Sequence, residues 1–233
     1  MLSDDRPIFL ITDGGHLRKR GGLFSAVKAA VTGGGSAIGC VLLREQHPEA
    51  ARLAGVNPAS DGEVLELASK LLPLCREHGA KLVINRRIDL AKRSGCDGVH
   101  LGKDGPTSDE ARSALGDGAL IGYSAHSPEE LHTLPRGRFD YALLSPIFNP
   151  LSKRSSNAPL GLASLRRATE KSPVRIFALG GITPENARQC IESGAAGVAM
   201  ISSVLLSTDP GTQARSLAAL CRQAGQQKKA VHG

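Results

Sequence analysis

Eight short apolar runs, each followed by a helical signal, constrain this chain more than any other feature. They read IFLITD (8–13), AIGCVLLR (37–44), KLVINR (81–86), GVHLG (98–102), LIGYSA (120–125), YALLSPI (141–147), VRIFALGG (174–181) and GVAMIS (197–202). Most are continuous rather than alternating, the pattern of parallel strands covered on both faces. The segments between them carry helix grammar. With Asp61 read as the cap, Val64, Leu65, Leu67, Ala68, Leu71 and Leu72 keep to one face until Gly79 supplies a stop. Ser127-Pro128-Glu129-Glu130 and Thr183-Pro184-Glu185-Asn186 each place a hydroxyl at the cap, proline at the first helical position and an acid in the positive first turn. Thr107 with Glu110 reads as a capping box, and further helices fit 22–33, 86–94, 160–171 and 209–225.

Strand and helix alternating eight times, with right-handed crossovers as the rule, predict an α/β fold of one (β/α)8 TIM barrel. An open doubly wound sheet fits less well: it stops at five or six strands, and its first strand leads into G-x-G-x-x-G, whereas here strand one leads into Thr12-Asp13-Gly14-Gly15-His16. The barrel is expected to occupy 1–226, with 227–233 as a disordered tail and 45–60 as an unusually long connection.

Composition narrows the function classes. Leu, Ala, Val and Ile dominate the 41% of hydrophobic residues and only 3% are aromatic, so the expected core is aliphatic. A net charge of +7 calls for an anionic partner, yet the basic residues are scattered in short pairs and few rings exist for base stacking, which argues against nucleic acid. Cys40, Cys75, Cys96, Cys190 and Cys221 have no close C-x-x-C spacing, indicating neither a disulfide framework nor a zinc site. No apolar segment approaches the ~20 residues that cross a bilayer, so the expectation is a cytoplasmic protein with no membrane partner.

In such barrels the chemistry sits where strands end. Strands seven and eight end in Gly180-Gly181-Ile182-Thr183-Pro184 and Ile201-Ser202-Ser203. Paired glycines and helix-start amides in consecutive loops point to a bound phosphate, each alone being no more than a tight turn or a cap. Arg44 continues strand two, either into the barrel mouth or towards Glu45. Lys153, in NPLSKRSS, either closes over the site or is a rim charge. Asn85 ends strand three, where its amide can orient a polar ring or cap the next helix. His100, within GVHLG, reads as packed in its strand. His126 is either a proton carrier, as an imidazole near neutrality can be, or an exposed loop histidine like His16 and His47.

Together LITD, LLRE, VINRRIDLA, DGVHLG, IGYSAHSPEE, DYALLSPIF, ALGGITPEN and GAAGVAMISS resemble the thiamine phosphate synthase and thiazole tautomerase superfamily, from about residue 8 to about 205. The resemblance implies a barrel holding a thiazole phosphate on Gly180, Gly181, Ile201 and Ser202, and relatives suggest a homodimer. Its synthase branch joins the thiazole phosphate to a hydroxymethylpyrimidine diphosphate, releasing pyrophosphate through a cation-like pyrimidine intermediate, with Mg²⁺ on the diphosphate. That branch reads Q-x-R-E-K at strand two, N-D at strand three and Q-E-D after H-x-G. Here Leu42 and Gln46 stand at the first, and Arg86 and Gly105 replace both metal carboxylates, while Arg44, Asn85, Ser124, Ser152 and Lys153 are retained for substrate.

The tautomerase branch reads N-x-R and S-x-H-S-x-E-E, matched by Asn85-Arg86-Arg87 and by Ser124 to Glu130. The expectation is therefore a metal-independent, cofactor-free thiazole tautomerase-like isomerase. His126 would move the proton and Arg44 or Arg86 would meet the carboxylate. The alternatives are an atypical synthase using Mg²⁺ and a catalytically silent thiazole or thiamine phosphate-binding regulator.

Overall fold

The computed structural model describes residues 2–3, 5–12, 17, 22–45, 55, 57–149 and 158–232, apart from the side chains of 229–232. Eight parallel strands close into a barrel in chain order. They are β1 (Ile8–Ile11), β2 (Ile38–Leu43), β3 (Lys81–Asn85), β4 (Gly98–Leu101), β5 (Leu120–Ala125), β6 (Tyr141–Leu144), β7 (Arg175–Leu179) and β8 (Gly197–Met200). Outside them lie α1 (Leu23–Gly34), α2 (Asp61–Glu77), α3 (Ile88–Ser94), α4 (Ser108–Leu115), α5 (Pro128–His132), α6 (Gly161–Lys171), α7 (Pro184–Glu192), the single turn α8 (Ser202–Leu205) and α9 (Pro210–His232). The predicted single (β/α)8 barrel is the observed fold. Where a tail is expected from 227, α9 continues to His232. Among the described residues, no helix is long and apolar enough to cross a membrane.

The alternation of side chains along each strand divides the core in two. Ile8, Leu10, Val41, Leu43, Leu82, Ile84, Val99, Ile121, Ala142, Leu144, Ile176 and Val198 face the helices. Phe9, Ile11, Cys40, Leu42, Val83, Leu120, Tyr141, Leu143, Phe177 and Ala199 fill the barrel. Continuous apolar runs are thus required because both faces are dry, and each fully buried side chain of this size contributes about 1.5–3 kcal/mol. The interior departs from the aliphatic expectation: Phe9 lies 4.9 Å from the Tyr141 ring and 5.5 Å from Phe177, centroid to centroid. Below them Arg175 donates to the Leu2 carbonyl and lies 5.8 Å from the Phe177 centroid.

Local cues set most helix boundaries. Thr107 and Glu110 form the expected capping box at α4. At α2 the cap is Ser60 rather than Asp61. Its hydroxyl accepts from the Glu63 amide while the Glu63 carboxylate accepts from the Ser60 N–H at 2.7 Å. Two orphan amides are satisfied at once, which Asp61 inside the first turn cannot do. Helix α3 begins at Ile88, two residues later than expected, because Arg86 takes a left-handed conformation.

Candidate functional site

The division between inner and outer faces decides what each strand offers at its C-terminal end. Inward residues pair across neighbouring strands as Leu42 with Val83, Asn85 with His100, His100 with Gly122, Gly122 with Tyr141, and Ser124 with Leu143. Arg44 follows Cys40 and Leu42 in the same parity, and its amide donates to the buried Thr12 hydroxyl at 2.8 Å. Arg44, Asn85, His100 and Ser124 therefore belong to one mouth.

His100 is where the sequence reading stops short. It is buried, as expected, but its ring bridges two side chains: Nδ1 lies 3.1 Å from the Tyr141 hydroxyl and Nε2 lies 2.8 Å from Ser124 Oγ. Burial, reinforced by the positive charges of Arg44 and Arg86, depresses the His100 pKa to about 3. The imidazole is neutral near pH 7, so it has one proton to give. Burial also pushes the Tyr141 phenol well above its ordinary value, so that group keeps its proton. The buried Tyr141 hydroxyl has His100 as its hydrogen-bond partner among the described residues, so the order that satisfies its hydrogen has Tyr141 donate to Nδ1 and Nε2–H donate to Ser124, which leaves the Ser124 hydroxyl a hydrogen for a ligand. Gly122 makes room for this chain, since a Cβ there would lie 2.1 Å from Tyr141 Cζ and 2.6 Å from His100 Nδ1. The signal available in the sequence was strand parity, which puts His100 and Ser124 on the same face as the mouth.

Loops seven and eight meet on the opposite side. Gly180 and Gly181 have φ of 94° and 64°, a region that favours glycine. They also lie under the chain after β6, where a Cβ on Gly181 would come 2.4 Å from the Asn149 carbonyl oxygen. The glycine carbonyls are used internally: Phe148 N–H donates to Gly180 and Asn186 Nδ2 donates to Gly181 at 2.9 Å. Backbone hydrogen bonds among the described residues do not employ the Gly181 or Ser202 amides. Ile201 precedes the one-turn helix α8 that begins at Ser202. A short extra helix after strand eight, beside loop seven, is a common phosphate cradle of this fold.

His126 lies just past β5, exposed. Its Nδ1 lies 3.1 Å from the Ser145 carbonyl, and its backbone N–H donates to the Glu130 carboxylate at 2.9 Å. The ring donates through Nδ1, since a carbonyl only accepts. Ser152 and Lys153, with His16 and His47, lie outside the described residues. Among those described, no three His, Cys, Asp or Glu side chains gather to hold a metal ion.

Comparison with known proteins decides the family. The model described as thiamine monophosphate synthase (TMP-TENI) matches residues 8–204. The chain belongs to that family.

Relatives of the thiamine monophosphate synthase family give finer detail. The chain is 36% identical over 220 residues to a thiamine-phosphate synthase of Synechococcus sp. WH7803, covering 91% of this chain and 62% of that one. It is 34% identical over 216 residues to a thiamine-phosphate synthase of Chloroflexus aurantiacus, covering 93% of each. The solved thiamine phosphate pyrophosphorylase of Pyrococcus furiosus superposes with a TM-score of 0.78 at 25% identity, over 95% of this chain and 98% of that one. These names overturn the expectation of a tautomerase-like isomerase: the relatives are synthases, which are transferases. The isomerase chemistry in which His126 was to move the proton is not the chemistry these relatives are named for, and their names say nothing of the residue itself.

Proposed function

We propose that this chain is a thiamine-phosphate synthase, joining a thiazole phosphate to a hydroxymethylpyrimidine diphosphate. The observation that carries the reading is its similarity, over more than nine-tenths of its length, to proteins named as such synthases. The mouth supplies groups suited to the task.

In this reading the Gly180, Gly181, Ile201 and Ser202 backbone holds the thiazole phosphate, where amides and a helix start favour an anion. Asn85 and Ser124 hold the pyrimidine side, and the Tyr141–His100 pair fixes the Ser124 hydroxyl with its hydrogen directed to the ring. Arg44 meets the diphosphate. The bond from the pyrimidine methylene carbon to the diphosphate oxygen breaks, and its electron pair leaves with pyrophosphate. The thiazole nitrogen then bonds to that carbon. His100 is too weak a base to exchange protons near pH 7, so its part is positioning. The catalytic contribution of the mouth is orientation and charge stabilisation.

The test is a coupled pyrophosphate-release assay with each substrate alone and with both together. Release only when both are present supports the reading; conversion of thiazole phosphate alone argues against it.

A further inference from the structure

The ends of β3 and β4 depart furthest from the synthase pattern. Arg86 has φ of 62° and is the one non-glycine described residue with a positive φ. Cβ sterics disfavour that conformation, and glycine, asparagine and aspartate tolerate it best. Strain of this kind gathers at functional sites, where the surrounding structure holds it in place. Here the kink carries the guanidinium over the loop after β4. A Cβ on Gly102 would lie 3.3 Å from Arg86 Nη2, and one on Gly105 would lie 3.6 Å from Nε.

Its neighbour has a different task. Arg87 is tied to Asp61 and Asp89, each at 2.7 Å. Arg86 is exposed, and no carboxylate among the described residues pairs with it. Arg44 and Arg86 follow the adjacent strands β2 and β3, which places them on one side of the mouth.

The same residues are a poor site for a divalent ion. Mg²⁺ needs an octahedron of oxygen ligands, usually including one or two carboxylates beside the substrate's phosphates. The loop offers Asp104 alone, between Lys103 and Gly105, and the Arg86 guanidinium lies against Gly102 and Gly105 on either side of that pair. A fixed cation there opposes a second one. What the fork of donors does suit is the phosphate itself, which arginine engages through two parallel hydrogen bonds.

We propose that the Arg86 guanidinium holds the substrate's diphosphate in this chain and takes the place a divalent metal would fill. Resting on the synthase reading, the proposal has pyrophosphate leave with the electron pair of the broken C–O bond, its added negative charge met by Arg86 and Arg44 without a metal.

The experiment is calorimetric titration of the full chain with inorganic pyrophosphate, first in EDTA and then with excess Mg²⁺. Binding in EDTA that Mg²⁺ does not tighten is expected. Arg86→Gly, which suits the left-handed backbone, should weaken it by about tenfold, or ~1.4 kcal/mol, and Arg86→Lys by less. Binding that requires Mg²⁺, or full affinity in Arg86→Gly, overturns the proposal. Turnover of the two substrates that EDTA abolishes would sink it while leaving the synthase reading intact. Metal-free pyrophosphate binding by a chain that makes no thiamine phosphate would do the reverse.

Discussion

The buried imidazole at the centre of the mouth makes a quantitative prediction about stability. In the folded chain the His100 pKa is depressed from 6.5 to about 3. The sign follows from proton binding. Below pH 6.5 the unfolded chain takes up a proton that the folded chain refuses until about pH 3, so stability falls as pH falls through that window. Each pH unit costs about 1.4 kcal/mol, and two units below 6.5 cost about 2.7 kcal/mol. Above 6.5 the contribution is flat. The perturbation is His100→Gln, which removes the titration and disrupts the hydrogen bonds to Tyr141 and Ser124. Near pH 7.5 the variant should be less stable by about 1–3 kcal/mol. Near pH 4.5 that deficit should shrink by about 2.7 kcal/mol, so that it vanishes or reverses. The other titrating groups are common to both proteins and cancel in the difference. Urea unfolding at the two pH values measures it. An unchanged deficit at both would refute the reasoning, because it would mean that His100 protonates in the folded state much as it does in water.

Other expectations concern the backbone and the packing. Gly122→Ala drives a methyl into Tyr141 and His100 and should cost about 1–3 kcal/mol or more, seen as a melting temperature lowered by about 2–4 °C per kcal/mol. Arg86→Gly should stabilise the fold by about 1 kcal/mol in urea titration by relieving the left-handed conformation, even as pyrophosphate affinity falls. Gly181→Ala meets both a positive φ and the Asn149 carbonyl. It should weaken thiazole phosphate binding in calorimetry by about tenfold.

How much the sequence disclosed depends on the physical range of each signal. Strands buried on both faces advertise themselves as unbroken apolar runs, so the barrel was legible. Caps are local too, yet Asp61 drew attention from Ser60 because both are good capping residues and only the reciprocal bond with Glu63 separates them. The Tyr141–His100–Ser124 chain was not visible, because it joins residues 24 and 41 positions apart through strand register. The S-x-H-S-x-E-E pattern misled for a different reason. Ser127 accepts from the Glu130 amide at 3.3 Å, and Glu130 accepts from the His126 amide, so much of the motif builds the start of α5. A pattern that a helix cap already explains discriminates poorly between two chemistries on one barrel.

The most direct measurement of the central claim is product analysis after the purified chain meets thiazole phosphate and hydroxymethylpyrimidine diphosphate together. The account predicts thiamine phosphate and pyrophosphate in equal amounts, by mass spectrometry and phosphorus resonance. Unchanged substrates under all conditions, or an altered thiazole phosphate with the diphosphate untouched, would contradict it.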